Sequence, residues 1–258
     1  MMIQLSYPTL PIFETFVQRY QPNISNLQNI VNYTLGDKFE QFDGQQPGKY
    51  GVFCANGNNN NLIGIDIPLL VKDGHPKGTI AIVSQDPLRN AKDPMLPNTS
   101  QGVIIGTPFA LHYKEKCYPQ TAIYRRIIIM LLKKGYAVYL TDARKIYPNL
   151  KIKQDEINFL SNELSIIQPT HIITFGSVAK DYLRNLSNIT CPILNLLHPS
   201  QTNWDHWKQW IFEQAYYGTT GYSKLASMIP KRNGMFDKQT TSSPMPDIIT
   251  QIVDNLIP

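Results

Sequence analysis

Four short segments carry side chains able to move protons, hold charge and bind phosphate: Gln85-Asp86-Pro87, Asp142, Gly176-Ser177 and His198-Pro199-Ser200. Carboxylates and an imidazole are the usual groups of general acid–base catalysis. Serine hydroxyls beside turns that open helices, together with the backbone N–H groups there, suit phosphate. Two acids, a histidine and two serines act together only if the fold delivers all four segments to one place.

The hydrophobic pattern predicts that it does. Thr79 to Ser84 (TIAIVS) is a continuous apolar run of strand length, rich in β-branched residues, as for a strand buried on both faces of a parallel sheet. Thr121 to Lys134 is apolar nearly all round, ends in basic residues and meets Gly135, which predicts a buried helix with a sharp stop. The alternation continues with strand 137–141, helix 154–167, strand 171–175, helix 177–186, strand 192–196 and helix 204–217. Such alternation predicts an α/β fold, three-layer α/β/α, with a central, mostly parallel sheet. Ligands of these sheets bind beyond the carboxyl ends of the strands, where all four segments fall.

The flanks are less regular. Helical spacing of Phe13, Phe16, Val17 and Tyr20, then of Leu27, Ile30 and Val31, predicts a helical lead-in over 7–35. Residues 36–78 are rich in Gly, Asn and Gln and predict irregular or hairpin-like surface. Residues 218–258 read as a loosely organised tail ending in a short amphipathic helix. One domain over 1–258 is expected, with 1–78 as its N-terminal part, 79–217 as the core and 218–258 as an extension.

With 42% apolar and 17% charged residues the chain can bury a substantial core, and 24 Lys plus Arg against 19 Asp plus Glu give a net charge of +5. That balance is compatible with a polyanionic partner and does not specify one. Cys54, Cys117 and Cys191 lack the close pairing of a zinc site and cannot all form disulfides, which favours a reducing compartment. The most apolar run, Ile127 to Leu132, is bracketed by basic residues and too short to span a bilayer. His75, His112, His171 and His206 are spaced like no metal site. These features predict a cytoplasmic protein that uses no membrane, metal or cofactor, and acting as a monomer would suffice.

In their order along the chain the four segments resemble the uracil-DNA glycosylase superfamily, most closely its family 1, over residues 79–210. Gln85-Asp86-Pro87 is similar to the start of the family's Gly-Gln-Asp-Pro-Tyr-His water-activating motif, and Phe109 stands where a phenylalanine stacks on the extruded base. Gly176-Ser177-Val178-Ala179-Lys180 is similar to the Gly-Ser-x-Ala segment, and His198-Pro199-Ser200 to the His-Pro-Ser leucine loop. Three scattered cysteines do not fit the superfamily's iron-sulfur branches, which need four.

The resemblance implies a DNA glycosylase that hydrolyses the N-glycosidic bond of a flipped pyrimidine, as base-excision repair does, and leaves an abasic site. Breaking the bond from C1′ makes the sugar oxocarbenium-like and sends the base away with negative charge, so both charges need stabilising. Asp86 would stabilise the cation and activate water, and His198 would bond O2 of the departing base. Gln85, Leu88, Phe109 and Asp142 would form the base pocket. Ser177 and Ser200 would bond flanking phosphates, with Arg89, Lys180 and Lys208 adding charge; such contacts are sequence-neutral and salt-sensitive. No lysine in the matched segments is placed for a Schiff base, which implies a monofunctional enzyme.

Three departures bear on the substrate. Uracil-specific members carry an asparagine where this chain has Asp142; a carboxylate only accepts, and would repel uracil O4. Cytosine reverses that edge, and a buried, protonated Asp142 would donate to N3 while accepting from N4–H. Family 1 has a tyrosine crowding C5 where this chain has Leu88, and the extra residues 90–101 could shape a larger pocket. Both point to a 5-substituted cytosine, a base found in some phage genomes, and so to antiviral defence. The leucine wedge has no counterpart in Gln201-Thr202-Asn203-Trp204.

Each of these residues also has a plainer reading. Asp86 could be a turn residue, Asp142 a loop cap over 143–146, His198 a structural histidine, Phe109 core, and Ser177 the N-cap of its helix. Trp204, Trp207 and Trp210 at three-residue spacing fit core better than a stacking platform. Two functional alternatives stand beside the modified-cytosine glycosylase: a uracil repair enzyme, and a catalytically silent module that binds DNA or a partner.

Overall fold

Gly78–Ser84 forms the strand that its β-branched run predicts, and it lies in the middle of the sheet. The computed structural model describes residues 3–20, 27, 52–54, 62–85, 102–110, 119–147, 153–199, 203–228 and 245–258. In chain order its first elements are β1 (Ile3–Ser6), α1 (Leu10–Gln18), β2 (Val52–Cys54), β3 (Leu62–Asp66), β4 (Leu69–Asp73), β5 (Gly78–Ser84) and β6 (Gly102–Gly106). There follow α2 (Pro119–Lys133), β7 (Tyr136–Asp142), α3 (Gln154–Ile167), β8 (His171–Phe175), α4 (Ser177–Arg184) and β9 (Ile193–Leu196). The last are α5 (Trp204–Tyr216), α6 (Tyr222–Met228) and α7 (Met245–Leu256).

The main sheet has the order β1-β4-β7-β5-β8-β9. Strands β7, β5, β8 and β9 are parallel, and β4 and β1 extend the β7 edge antiparallel. Successive side chains of a strand point to opposite faces. Ala81, Val83, Tyr139 and Ile172 pack on one face against Leu160 and Leu164 of α3 and Ala179, Tyr182 and Leu183 of α4. Ile80, Ile82, Val138, Leu140, Ile173 and Phe175, on the other face, are fully buried too. Burial on both faces is what the three-layer α/β/α class requires of its parallel strands.

Two compact units divide the chain: residues 1–117 with 131–196, and 118–130 with 197–258. The first contains both sheets, the second of which is three-stranded in the order β2-β6-β3. In the second unit Trp207, Ile211, Leu225, Ile248 and Ile252 are buried. Trp207 is fully buried, as core spacing predicts, and the half-buried Trp210 lies edge-on to Tyr222 at 5.4 Å. No described helix is long and apolar enough to cross a membrane.

The flanks differ from expectation. Among the described residues of 36–78, expected to be irregular or hairpin-like surface, lie the strands β2, β3 and β4; β4 alternates buried and part-exposed positions, a pattern that the polar residues around it mask. A further strand, β1, precedes the lead-in helix, and α1 ends at Gln18. The rest of the predicted lead-in falls outside the described residues, apart from helical Leu27. The C-terminal extension contains α6 as well as the amphipathic α7.

A buried polar network ties β7 to α3. Glu163 accepts from Tyr139 Oη at 2.7 Å and Thr141 Oγ1 at 3.0 Å and pairs with the Lys145 ammonium, while Tyr139 also meets Thr9 Oγ1 at 2.7 Å. Two turns earlier on the same helix face, Glu156 accepts from the Lys145 backbone N–H at 3.0 Å and Tyr182 Oη at 2.8 Å. Burial first, and then the adjoining Glu163 and Glu156 charges, push the phenols of Tyr139 and Tyr182 well above their ordinary range. The folded chain therefore keeps protons that the unfolded chain releases above pH ~10, so this contribution to stability is complete below that pH and is lost as pH climbs further. Tyr139→Phe is expected to lower the urea midpoint at neutral pH and to make its alkaline decline shallower. Parallel alkaline limbs for variant and parent would contradict the linkage.

Candidate active site

The carboxyl ends of β7, β5, β8 and β9 lie side by side, because these strands are parallel neighbours. In the β5–β7 register Ser84 stands opposite Asp142, each the last residue of its strand. The pairing continues past the strands: Ala143 N–H donates to Ser84 O at 2.9 Å and Arg144 N–H to Gln85 O at 3.0 Å. The chain leaving Asp142 thus runs beside Ser84 and Gln85. The Ser84 hydroxyl donates to Asp142 Oδ1, and both side chains are buried. At 3% exposure Asp142 is the closing residue of a buried strand, which makes it a poor match for a solvated loop cap.

Phe109 enters from the turn Pro108–Ala110 that follows β6 and abuts β7. Its backbone has φ 61° and ψ 16°, in the left-handed region, where a bulky residue costs about 1–3 kcal/mol. Its half-buried ring meets Phe175, at the end of β8, edge-on with centroids 6.5 Å apart. The strain holds an aromatic ring against the strand ends.

Beyond β8, Gly176 adopts φ 92° and ψ 167°, a conformation essentially reserved for glycine, and donates its N–H to Leu196 O at 2.9 Å. This joins the ends of β8 and β9 and starts α4 at the sheet edge. Gly176 is itself the N-cap, and Ser177 is the first helical residue and exposed, which corrects the N-cap reading of Ser177. The exposed hydroxyl and the N–H groups of the first helical turn suit an anion. Lys180, one turn on, is half-buried.

The chain leaves β9 at Leu196 and reaches His198 two residues later, in the second unit. Within that unit His198 Nε2 lies 3.5 Å from Tyr124 Oη of α2. The His198 carbonyl accepts from Asn203 Nδ2 at 3.1 Å and from the indole N–H of Trp207 at 3.4 Å. The fully buried Trp207 anchors the backbone of His198, a half-buried residue. Asp86, Leu88, Arg89 and Ser200 lie outside the described residues, as do residues 90–101 and Gln201-Thr202.

The family model of the uracil DNA glycosylase superfamily matches residues 71–218, more than half of the 258-residue chain. The chain belongs to the uracil DNA glycosylase superfamily. The match runs from within β4 past the end of α5 and takes in β5 and β7 to β9, so the superfamily region contains every strand end just described. Membership points to a DNA glycosylase, a hydrolase that acts on DNA. No curated protein matches the chain.

Three residues beside the candidate side chains escape sequence reasoning. Ser84 directly precedes Gln85, and a parallel register between the two central strands would have set it opposite Asp142. Phe175 reads as an ordinary buried strand residue, yet it meets the Phe109 ring. Tyr124 lies in a helix read as buried throughout, and nothing local marks it as the neighbour of His198.

Proposed function

We propose that this superfamily member is a monofunctional DNA glycosylase that flips a 5-substituted cytosine out of DNA and hydrolyses its N-glycosidic bond, leaving an abasic site. Family 1 is its nearest branch. Asp86 activates water and stabilises the sugar cation, and His198 bonds O2 of the departing base. Phe109 stacks on the extruded base, Gln85 and Leu88 line the pocket, and Asp142 reads the Watson–Crick edge. Ser177, Ser200, Arg89 and Lys180 hold the flanking phosphates. Defence against DNA that carries such bases is the role that fits, since excision of unmodified cytosine would attack the host genome. The enzyme works in the cytoplasm as a monomer.

The observation that carries the base assignment is the buried Asp142 closing the strand beside β5. In its neutral form that carboxyl offers one donor and one acceptor and so matches cytosine N3 and N4–H. Uracil presents the opposite order.

The test is a set of duplexes carrying uracil, cytosine or 5-hydroxymethylcytosine. Release of the hydroxymethylated base should exceed release of uracil. In Asp142→Asn the preference between them should move toward uracil by roughly 10- to 100-fold, the size of one or two mispaired buried groups. Efficient release of uracil alone by the parent would overturn the assignment and leave a repair enzyme.

A further inference from the structure

We propose that Ser84 is a positioning residue for base selection: its hydroxyl fixes Asp142 Oδ1 as the accepting oxygen, so that Oδ2 is the oxygen that carries the proton toward the base. The inference rests on the reading of Asp142 as the base-reading residue and adds to it which residue sets the direction of its hydrogen bonds. Ser84 and Asp142 are register partners at the ends of adjacent parallel strands, and the Ser84 hydroxyl donates to Asp142 Oδ1. Ser84 is 6% exposed and Asp142 3%, so water does not compete for the bond.

The chemistry follows from the lone pairs. A neutral carboxyl has one oxygen that only accepts and one that bears hydrogen, and in an isotropic pocket either could take either part. A hydroxyl donating to Oδ1 removes that freedom. Oδ1 keeps a second lone pair for an amino N–H of the base, and Oδ2–H is left to donate to a ring nitrogen. That pattern complements cytosine and mispairs with uracil at both positions. Ser84 also stands where the quoted Gly-Gln-Asp-Pro motif has glycine, and Asp142 where uracil-specific members have asparagine. The two departures thus touch each other. Of the charged groups that follow Asp142, Lys145 pairs with Glu163 of α3, and the Arg144 charge acts on the Tyr182 phenol of α4.

The experiment compares Ser84→Ala, Ser84→Thr and Asp142→Asn with the parent, measuring release of 5-hydroxymethylcytosine and uracil across pH. Ser84→Ala should lower hydroxymethylcytosine release roughly tenfold, the loss expected for one buried hydrogen bond. Because a donor to a carboxylate favours its ionised form, removing it should also move the alkaline limit of activity to higher pH. Ser84→Thr keeps a hydroxyl and should restore both rate and pH limit. A general packing role would lower the rate without moving the pH limit. If Asp142→Asn shifts base preference while Ser84→Ala leaves preference and pH profile unchanged, the role of Ser84 is wrong and the reading of Asp142 stands. If Asp142→Asn shifts nothing, the reading of Asp142 falls and the role of Ser84 falls with it. Should Ser84→Ala fold poorly by thermal melting, Ser84→Cys, nearly isosteric and a much weaker donor, carries the same comparison.

Discussion

Replacing Asp86 with asparagine is expected to slow base release roughly 10²- to 10⁴-fold while DNA affinity stays within about threefold, a loss confined to the transition state. The substitution keeps the side chain's shape and removes its charge. Asparagine can still orient a water molecule, but it can neither accept the proton of that water nor offset positive charge on the sugar. Both functions are needed only as the glycosidic bond breaks, so single-turnover rates should fall and binding to a duplex containing the target base should not. Undiminished release by the variant would remove Asp86 from the chemistry. A parent protein that releases no base from any duplex, yet binds one, would instead make the chain a recognition module.

What could be read from the sequence follows from where each strand lies. Strands β5, β7 and β8 are buried on both faces, so each is a short unbroken apolar run, and the helices between them show their own period. The candidate residues at their ends were visible for the same reason. Strands β1 and β4 are antiparallel edge additions with part-exposed positions, and β2 is three residues long. Segments so short and so mixed do not stand out from a polar stretch. The details of the site were illegible for a different reason. The left-handed backbone of Phe109 is imposed by the turn after β6, and the Ser84–Asp142 bond exists only once two strands adopt a particular register. Neither leaves a local trace.

The buried charges of α3 lead to the second large effect. Lys145 and Glu163 are 1% and 0% exposed, and the ion pair between them closes a network that also fixes Tyr139 and Thr141. Taking charge out of water is costly, and removing one partner leaves the other buried without compensation. Lys145→Met, which keeps most of the side chain's length and its packing near Phe159, is therefore expected to lower the unfolding free energy by ~3–5 kcal/mol. Adding Glu163→Gln should recover a large part of that loss, because the amide still accepts from Tyr139 and Thr141 and no net charge stays buried. Urea unfolding of the two single variants and the double variant gives the coupling directly. A Lys145→Met midpoint close to the parent's, or a double variant no more stable than the single, would show that the pair is not held as a desolvated unit. The same clamp has a consequence at the sheet edge. Lys145 is gripped at its backbone by Glu156 and at its side chain by Glu163, three residues after Asp142, so the two glutamates anchor the turn that sets where the Asp142 carboxyl sits. In the double variant the fold should return while selection between 5-hydroxymethylcytosine and uracil stays partly weakened, since the Glu156 bond to the backbone of residue 145 persists and the side-chain anchor to residue 163 does not.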